Sequence, residues 1–166
     1  MNIIYKLLLA FNSSSWIIII YFVKENYILT SLFFIIISML AYCISILLVF
    51  KLSSEYIPKE ISEFSIADGD FLPTYLGYFF VGLSINNNFM LIIMYLIIFT
   101  FIFLSQNEYF NPIFLLFGFH FYRITTKAGS NIFIIKKGKI VKNIENLEFS
   151  NLGRINDTTF IERGNL

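Results

Sequence analysis

Apolar residues in the first hundred positions come in blocks and do not alternate with polar ones. The blocks are residues 3–23, 27–50, 71–86 and 89–105, parted by Lys24-Glu25-Asn26, by the charged stretch 51–70 and by an Asn86-Asn87-Asn88 triplet. Block 27–50 holds no charged residue, and its length meets the ~20 residues that a membrane-spanning helix needs. Blocks three and four read as a membrane hairpin, because three asparagines cannot sit unpaired in hydrocarbon but can sit among headgroups or in water. Block one carries Lys6 and an Asn12-Ser13-Ser14-Ser15 patch ahead of Trp16. It has no small-x-small cleavage site near residue 24, and another apolar block follows at once, so it reads as a retained span and not a secretory signal. The short joint at 24–26 folds the first two spans into a tight antiparallel pair. The prediction is an α-helical membrane protein with four transmembrane helices in two hairpins, occupying residues 1–106.

Beyond Asn111-Pro112, which should end the fourth span or its Gln106-Asn107-Glu108 extension, the period changes. Phe117, Phe119 and Phe121 alternate with Gly118, His120 and Tyr122, the spacing of a strand with one phenylalanine face. Residues 127–131 read as a turn, 132–135 as a strand, Lys137-Gly138 as a second turn and Ile140-Val141 as a third short strand. Leu147, Phe149, Leu152 and Ile155 continue the pattern to an Asn156-Asp157 turn and Thr159-Phe160-Ile161. Residues 107–166 should therefore open as an antiparallel meander within a small cytoplasmic β-rich domain. So small a core is marginal alone and should need the membrane, sister subunits or a partner.

Composition agrees with the blocks: 57% hydrophobic residues, 21 Phe, 10 Tyr and 14% charged residues, against roughly 25% charged in soluble domains. The single Cys43 excludes a disulfide framework within the chain. With alternating spans, Lys6, Lys51, Lys59 and the basic tail share one side, and Lys24 alone lies opposite. The positive-inside rule then places both termini and the 51–70 loop in the cytoplasm, leaving two small outer turns with almost no surface for an external ligand. The loop is acidic, with Glu55, Glu60, Glu63, Asp68 and Asp70 against Lys51 and Lys59. It reads as a solvated linker, or as a dock for a neighbouring subunit's tail or a soluble partner. Asp68-Gly69-Asp70 lacks the spacing and distal Glu of a calcium loop.

Candidate chemistry is sparse. No charged residue lies in spans two to four, which argues against a transporter. No phosphate-cradling glycine loop, nucleophile elbow or metal spacing occurs, so neither an enzyme nor a cofactor is expected. His120 is the sole histidine, with no carboxylate close in its own strand; it reads as a packed or interfacial side chain before a ligand or base. Cys43 reads as passive filler within its span. Lys136, Lys137, Lys139 and Lys142 read as a topology determinant touching anionic lipid; direct nucleic-acid binding is not expected. Pro73 sits near the start of span three, where its missing N–H costs little. Gly77 and Gly82, beside Tyr75 and Tyr78, allow close helix approach, either within the chain or at a homo-oligomeric seam.

The stretches FLPTYLGYFFVGLSI (71–85), YFNPIFLLFGFHFYRITT (109–126) and LEFSNLGRINDTTFIE (147–162) resemble KwaA, the membrane component of the bacterial Kiwa anti-phage defence system. The resemblance implies a homo-oligomer in the bacterial cytoplasmic membrane that detects phage attack and recruits a soluble DNA-binding partner, KwaB, in the cytoplasm. On that reading Pro73, Tyr75, Gly77 and Tyr78 would respond to membrane perturbation. Asn111 and Pro112 would pass the change on, and His120, Tyr122, Arg123, Arg154 and Asp157 would deliver it to the partner. Two other classes stay open: a small channel or holin-like permeabiliser, and a membrane immunity or assembly protein.

Overall fold

In the computed structural model, which describes residues 3–55, 61–105, 111–141 and 151–164, one helix is surrounded by three others. Helix α1 (Ile3–Lys24) packs against α2 (Ile28–Val49), α3 (Phe71–Ser84) and α4 (Asn88–Ser105). Its Asn12-Ser13-Ser14-Ser15 patch is buried, and its hydroxyls find partners nearby. Ser14 Oγ donates to Ala10 O at 2.9 Å, Ser15 Oγ donates to Asn12 O at 3.0 Å, and Ser15 meets Ser38 of α2 at 2.9 Å. Small hydrogen-bonding residues let neighbouring helices approach and bond where water is absent. The close approach recurs at Gly82 of α3, where a Cβ would stand 2.8 Å from Ile20 Cγ2. Gly77 faces open space, with nothing within 4 Å of such a Cβ.

The four helices run alternately up and down. The start of α1 and the end of α2 share one core cluster with the sheet, with Phe71 at the start of α3 packed against it. At the other end, Lys24 Nζ donates to Ile85 O at 2.5 Å, and the Tyr21 hydroxyl donates to Asn88 Oδ1 at 2.9 Å. Asn26 ends the α1–α2 joint with φ 60°, and Asn87 Oδ1 accepts from Met90 N at 2.8 Å to cap α4. The outward faces of α2, α3 and α4 are apolar and exposed, including Leu29, Phe33, Leu47, Phe80, Phe89 and Phe101. By length and composition α1 and α2 can each cross a membrane; α3 and α4 are apolar but shorter. Of the four transmembrane helices expected, two are thus long and apolar enough to span, and α3 has only 14 residues, ending before the Asn triplet.

The remaining strands form one mixed sheet in the order β1 (Ser53–Glu55), β5 (Leu152–Arg154), β6 (Thr159–Glu162), β4 (Asn131–Lys137), β3 (Phe119–Thr126), β2 (Ile61–Ile66). All neighbours are antiparallel except β4 and β6, whose parallel register pairs Ile134 with Phe160. One face, with Phe119, Phe121, Phe133, Ile135 and Ile161, packs on Tyr5, Leu9, Tyr42 and Val49 of α1 and α2. The other buries Tyr122, Ile124, Ile134, Leu152 and Phe160.

Several expectations are corrected here. The 51–70 loop is no solvated linker: it supplies both edge strands, so a division at residue 106 cuts through the sheet's membership. The tail is not a simple meander, because β5 enters beyond β6 and leaves β6 parallel to β4. Ile140 and Val141 form no strand. Phe117 lies outside the phenylalanine strand, because Asn111 caps a short helix α5 (Pro112–Leu116), accepting from Ile113 N at 2.9 Å with Pro112 in the first turn. Gly118, with φ 75°, then turns the chain into β3. The 126–131 turn closes at Gly129, and the turn near Asn156 forms as Asn156 Oδ1 accepts from Thr158 N and Thr159 N at 2.8 and 2.7 Å. Residues 106–108, Lys142, Leu147 and Phe149 lie outside the described residues.

Candidate functional site

The 51–70 segment carries acid into a basic tail, and opposite charges meet at both of its ends. Where it leaves toward α3, Ala67 N donates to Phe121 O at 2.8 Å. Asp68 then holds two adjacent groups of β3: Phe121 N donates to its Oδ1 at 2.6 Å, and His120 Nδ1 lies 2.6 Å from its Oδ2. Asp70, the residue before α3, meets Arg123 Nη1 at 3.1 Å. The residues leading into α3 are therefore fastened to β3 by two carboxylates and a backbone bond, and charge-assisted bonds are the strong kind.

Where the segment enters from α2, arginines do the fastening. Arg154 lies 3.2 Å from Glu55 and donates to Asp157 Oδ1 at 2.7 Å. Those two carboxylates raise the guanidinium's already high pKa, the Asp157 hydrogen bond most. Arg163 donates to Ser54 Oγ at 3.0 Å and to Leu52 O. Between the two ends, Lys136 and Glu162 pair at 3.0 Å with Glu162 2% exposed. Tyr122 stacks on Phe64 at 5.4 Å and accepts from Val141 N at 3.1 Å; burial raises its phenol pKa.

The sequence-predicted residues fall into two groups, one around the sheet and one in the bundle. His120, Arg123, Arg154 and Asp157 all join charged contacts around the sheet, with Tyr122 buried beneath; Asn111 and Pro112 start α5. In the bundle, Tyr75 packs edge-on to Trp16 of α1 at 6.2 Å and to Tyr78 at 5.3 Å. Pro73 and Gly77 are exposed on α3. Sequence reasoning missed Asp68, Asp70 and Glu55 as partners of His120, Arg123 and Arg154. The signal was present as an acidic loop and a basic tail; the dock it suggests lies within the chain itself. The Lys136–Glu162 pair had no signal, since the two lie on strands whose pairing skips β5. Among the described residues no group of three His, Cys, Asp or Glu gathers to hold a metal. The arrangement is a set of clamps joining a bundle to a sheet.

A family model described as "Anti-phage protein KwaA" matches residues 5–161, nearly the whole chain. No curated protein and no solved structure matches. On that match, the chain belongs to the KwaA family of anti-phage proteins.

Proposed function

We propose that this chain is the membrane-embedded sensor and scaffold of an anti-phage complex, with all four helices in the bilayer and both termini and the sheet in the cytoplasm. The observation that carries this is the fastening of α3 to β3 by Asp68 and Asp70. With about 1.5 Å rise per residue, the 14 residues of α3 reach about 21 Å, short of the ~30 Å hydrocarbon core. A helix that short feels bilayer thickness strongly, and thinning or lateral stress during phage attack changes its tilt at modest energy. Because the residues leading into it, Asp68 and Asp70, are tied to β3, that tilt passes to the sheet. The apolar outward faces of α3 and α4 support their contact with lipid.

On this reading the chain assembles with copies of itself and presents the sheet to a soluble cytoplasmic partner. The test is to express the tagged full chain from its native gene neighbourhood, extract it in mild detergent and measure the mass and composition of the particle. A homo-oligomer carrying a soluble partner supports the reading, and a partner-free monomer overturns it. Phage challenge of cells making Tyr75→Ala or Arg154→Ala at normal levels tests the residue assignments: both should lose protection.

A further inference from the structure

The turn from α5 into β3 has features that the sensor reading does not use. Leu116 is 74% exposed, and Phe117 and Ile140 are also exposed. Exposed apolar residues gathered in one place mark an interaction surface. Phe117 stacks at 4.7 Å on Tyr42 of α2, and Phe114 meets the same ring edge-on at 5.1 Å. Tyr42 lies seven residues before Val49, the last residue of α2, a distance of about 10 Å along the helix. Leu47 and Phe50, both exposed and apolar, lie beyond it. The turn therefore packs on Tyr42, on the buried side of α2, with its own apolar tips left exposed.

Basic residues flank the same turn. Gly138 N donates to Gly118 O at 3.0 Å, which brings the end of β4 against it. Lys137 pairs in register with Phe119 and sets its Nζ 5.7 Å from that ring, and Lys139 is exposed. Apolar tips flanked by snorkelling lysines are the pattern of a segment seated at a membrane interface.

We infer that residues 112–118 with 137–140 form a foot in the cytoplasmic leaflet that binds an anionic phospholipid. Its acyl chains lie against Leu116, Phe117 and Ile140, and its phosphate lies on Lys137 and Lys139. The occupant is a lipid because exposed apolar tips stand beside basic residues, as in segments seated at a membrane interface, and it is anionic because the flanking charges are positive. The inference rests on the membrane placement of α2.

The test uses the full chain in nanodiscs of phosphatidylcholine with or without phosphatidylglycerol. In a Cys43→Ser background, a nitroxide on Leu116→Cys should be relaxed by oxygen in preference to an aqueous nickel chelate, as should a control label on Leu47→Cys. If the control sees oxygen and position 116 sees nickel, the foot is overturned and the span stands; if both see nickel, the membrane placement itself fails. In mixed-lipid discs the wild type should retain phosphatidylglycerol. Lys137→Gln and Lys139→Gln should each weaken that preference about fivefold; an unchanged preference in the double variant overturns the headgroup assignment.

Discussion

Replacing Asp68 with Ala removes the junction between the helical bundle and the sheet at one point. The side chain accepts two close bonds, from Phe121 N and from His120, each at 2.6 Å. Hydrogen bonds to charged groups contribute about 1.5–3 kcal/mol each. The carboxylate is 22% exposed, so water recovers part of this, leaving roughly 2–4 kcal/mol for Asp68→Ala. Asp68→Asn keeps an oxygen for the Phe121 N–H but loses the negative charge facing His120, and should cost about 1–2 kcal/mol. For a chain of this size 1 kcal/mol moves the unfolding midpoint by about 2–4 °C. Heating the full chain in detergent and following the soluble fraction should rank wild type above Asn above Ala, with Ala lower by roughly 5–15 °C. Hydrogen exchange on the same samples should show the Phe121 amide losing protection in Asp68→Ala before the α1 amides do. An unchanged midpoint together with a protected Phe121 amide would refute the clamp, whatever the phage phenotype.

Other outcomes follow from the same contacts. Lys136→Met or Glu162→Leu alone should destabilise by about 3–5 kcal/mol by leaving a buried charge, while the double variant should recover most of the loss in a double-mutant cycle. Gly82→Leu, which forces a side chain into Ile20, should cost about 1–3 kcal/mol, whereas Gly77→Ala should be neutral or slightly stabilising in the same melt. Because burial raises the folded pKa of Tyr122 above 10.0, its stabilising effect is complete below pH 10.0 and is lost as pH climbs through the raised value. Alkaline melts of Tyr122→Phe should therefore fall less steeply with pH than wild type. Arg154→Ala, at a 40% exposed side chain, should leave the melting midpoint nearly unchanged, because exposed ion pairs contribute little. Lost phage protection in that variant would then report a lost interaction and not a lost fold.

How much of this the sequence displays depends on how local each feature is. The four helices, the 24–26 joint and the Asn156 turn are local, and block length and turn residues locate them to within a few positions, whereas Asn111, expected to stop span four, instead caps α5. The centrality of α1 is not local. Its serine patch looks like a weak point in a span until three helices surround it, when the same hydroxyls become the bonds that join them. The edge strands were hidden for a related reason: Ser53–Glu55 and Ile61–Ile66 are short and charged, with no alternation strong enough to announce a strand, and they acquire one only by pairing with β5 and β3. His120 was read against its own strand and not against residue 68, which folding brings within 2.6 Å.

The central claim is that α3 and α4 cross the membrane despite their length, leaving the sheet inside. Single cysteines in a Cys43→Ser background test it most directly, at Asn87 in the α3–α4 turn and at Ser62 on β2, labelled in intact cells with a membrane-impermeant maleimide. The account predicts that Asn87→Cys reacts from outside the cytoplasmic membrane and Ser62→Cys only after lysis. Labelling of both positions only after lysis would contradict it, returning α3 and α4 to the cytoplasmic side and leaving two spans.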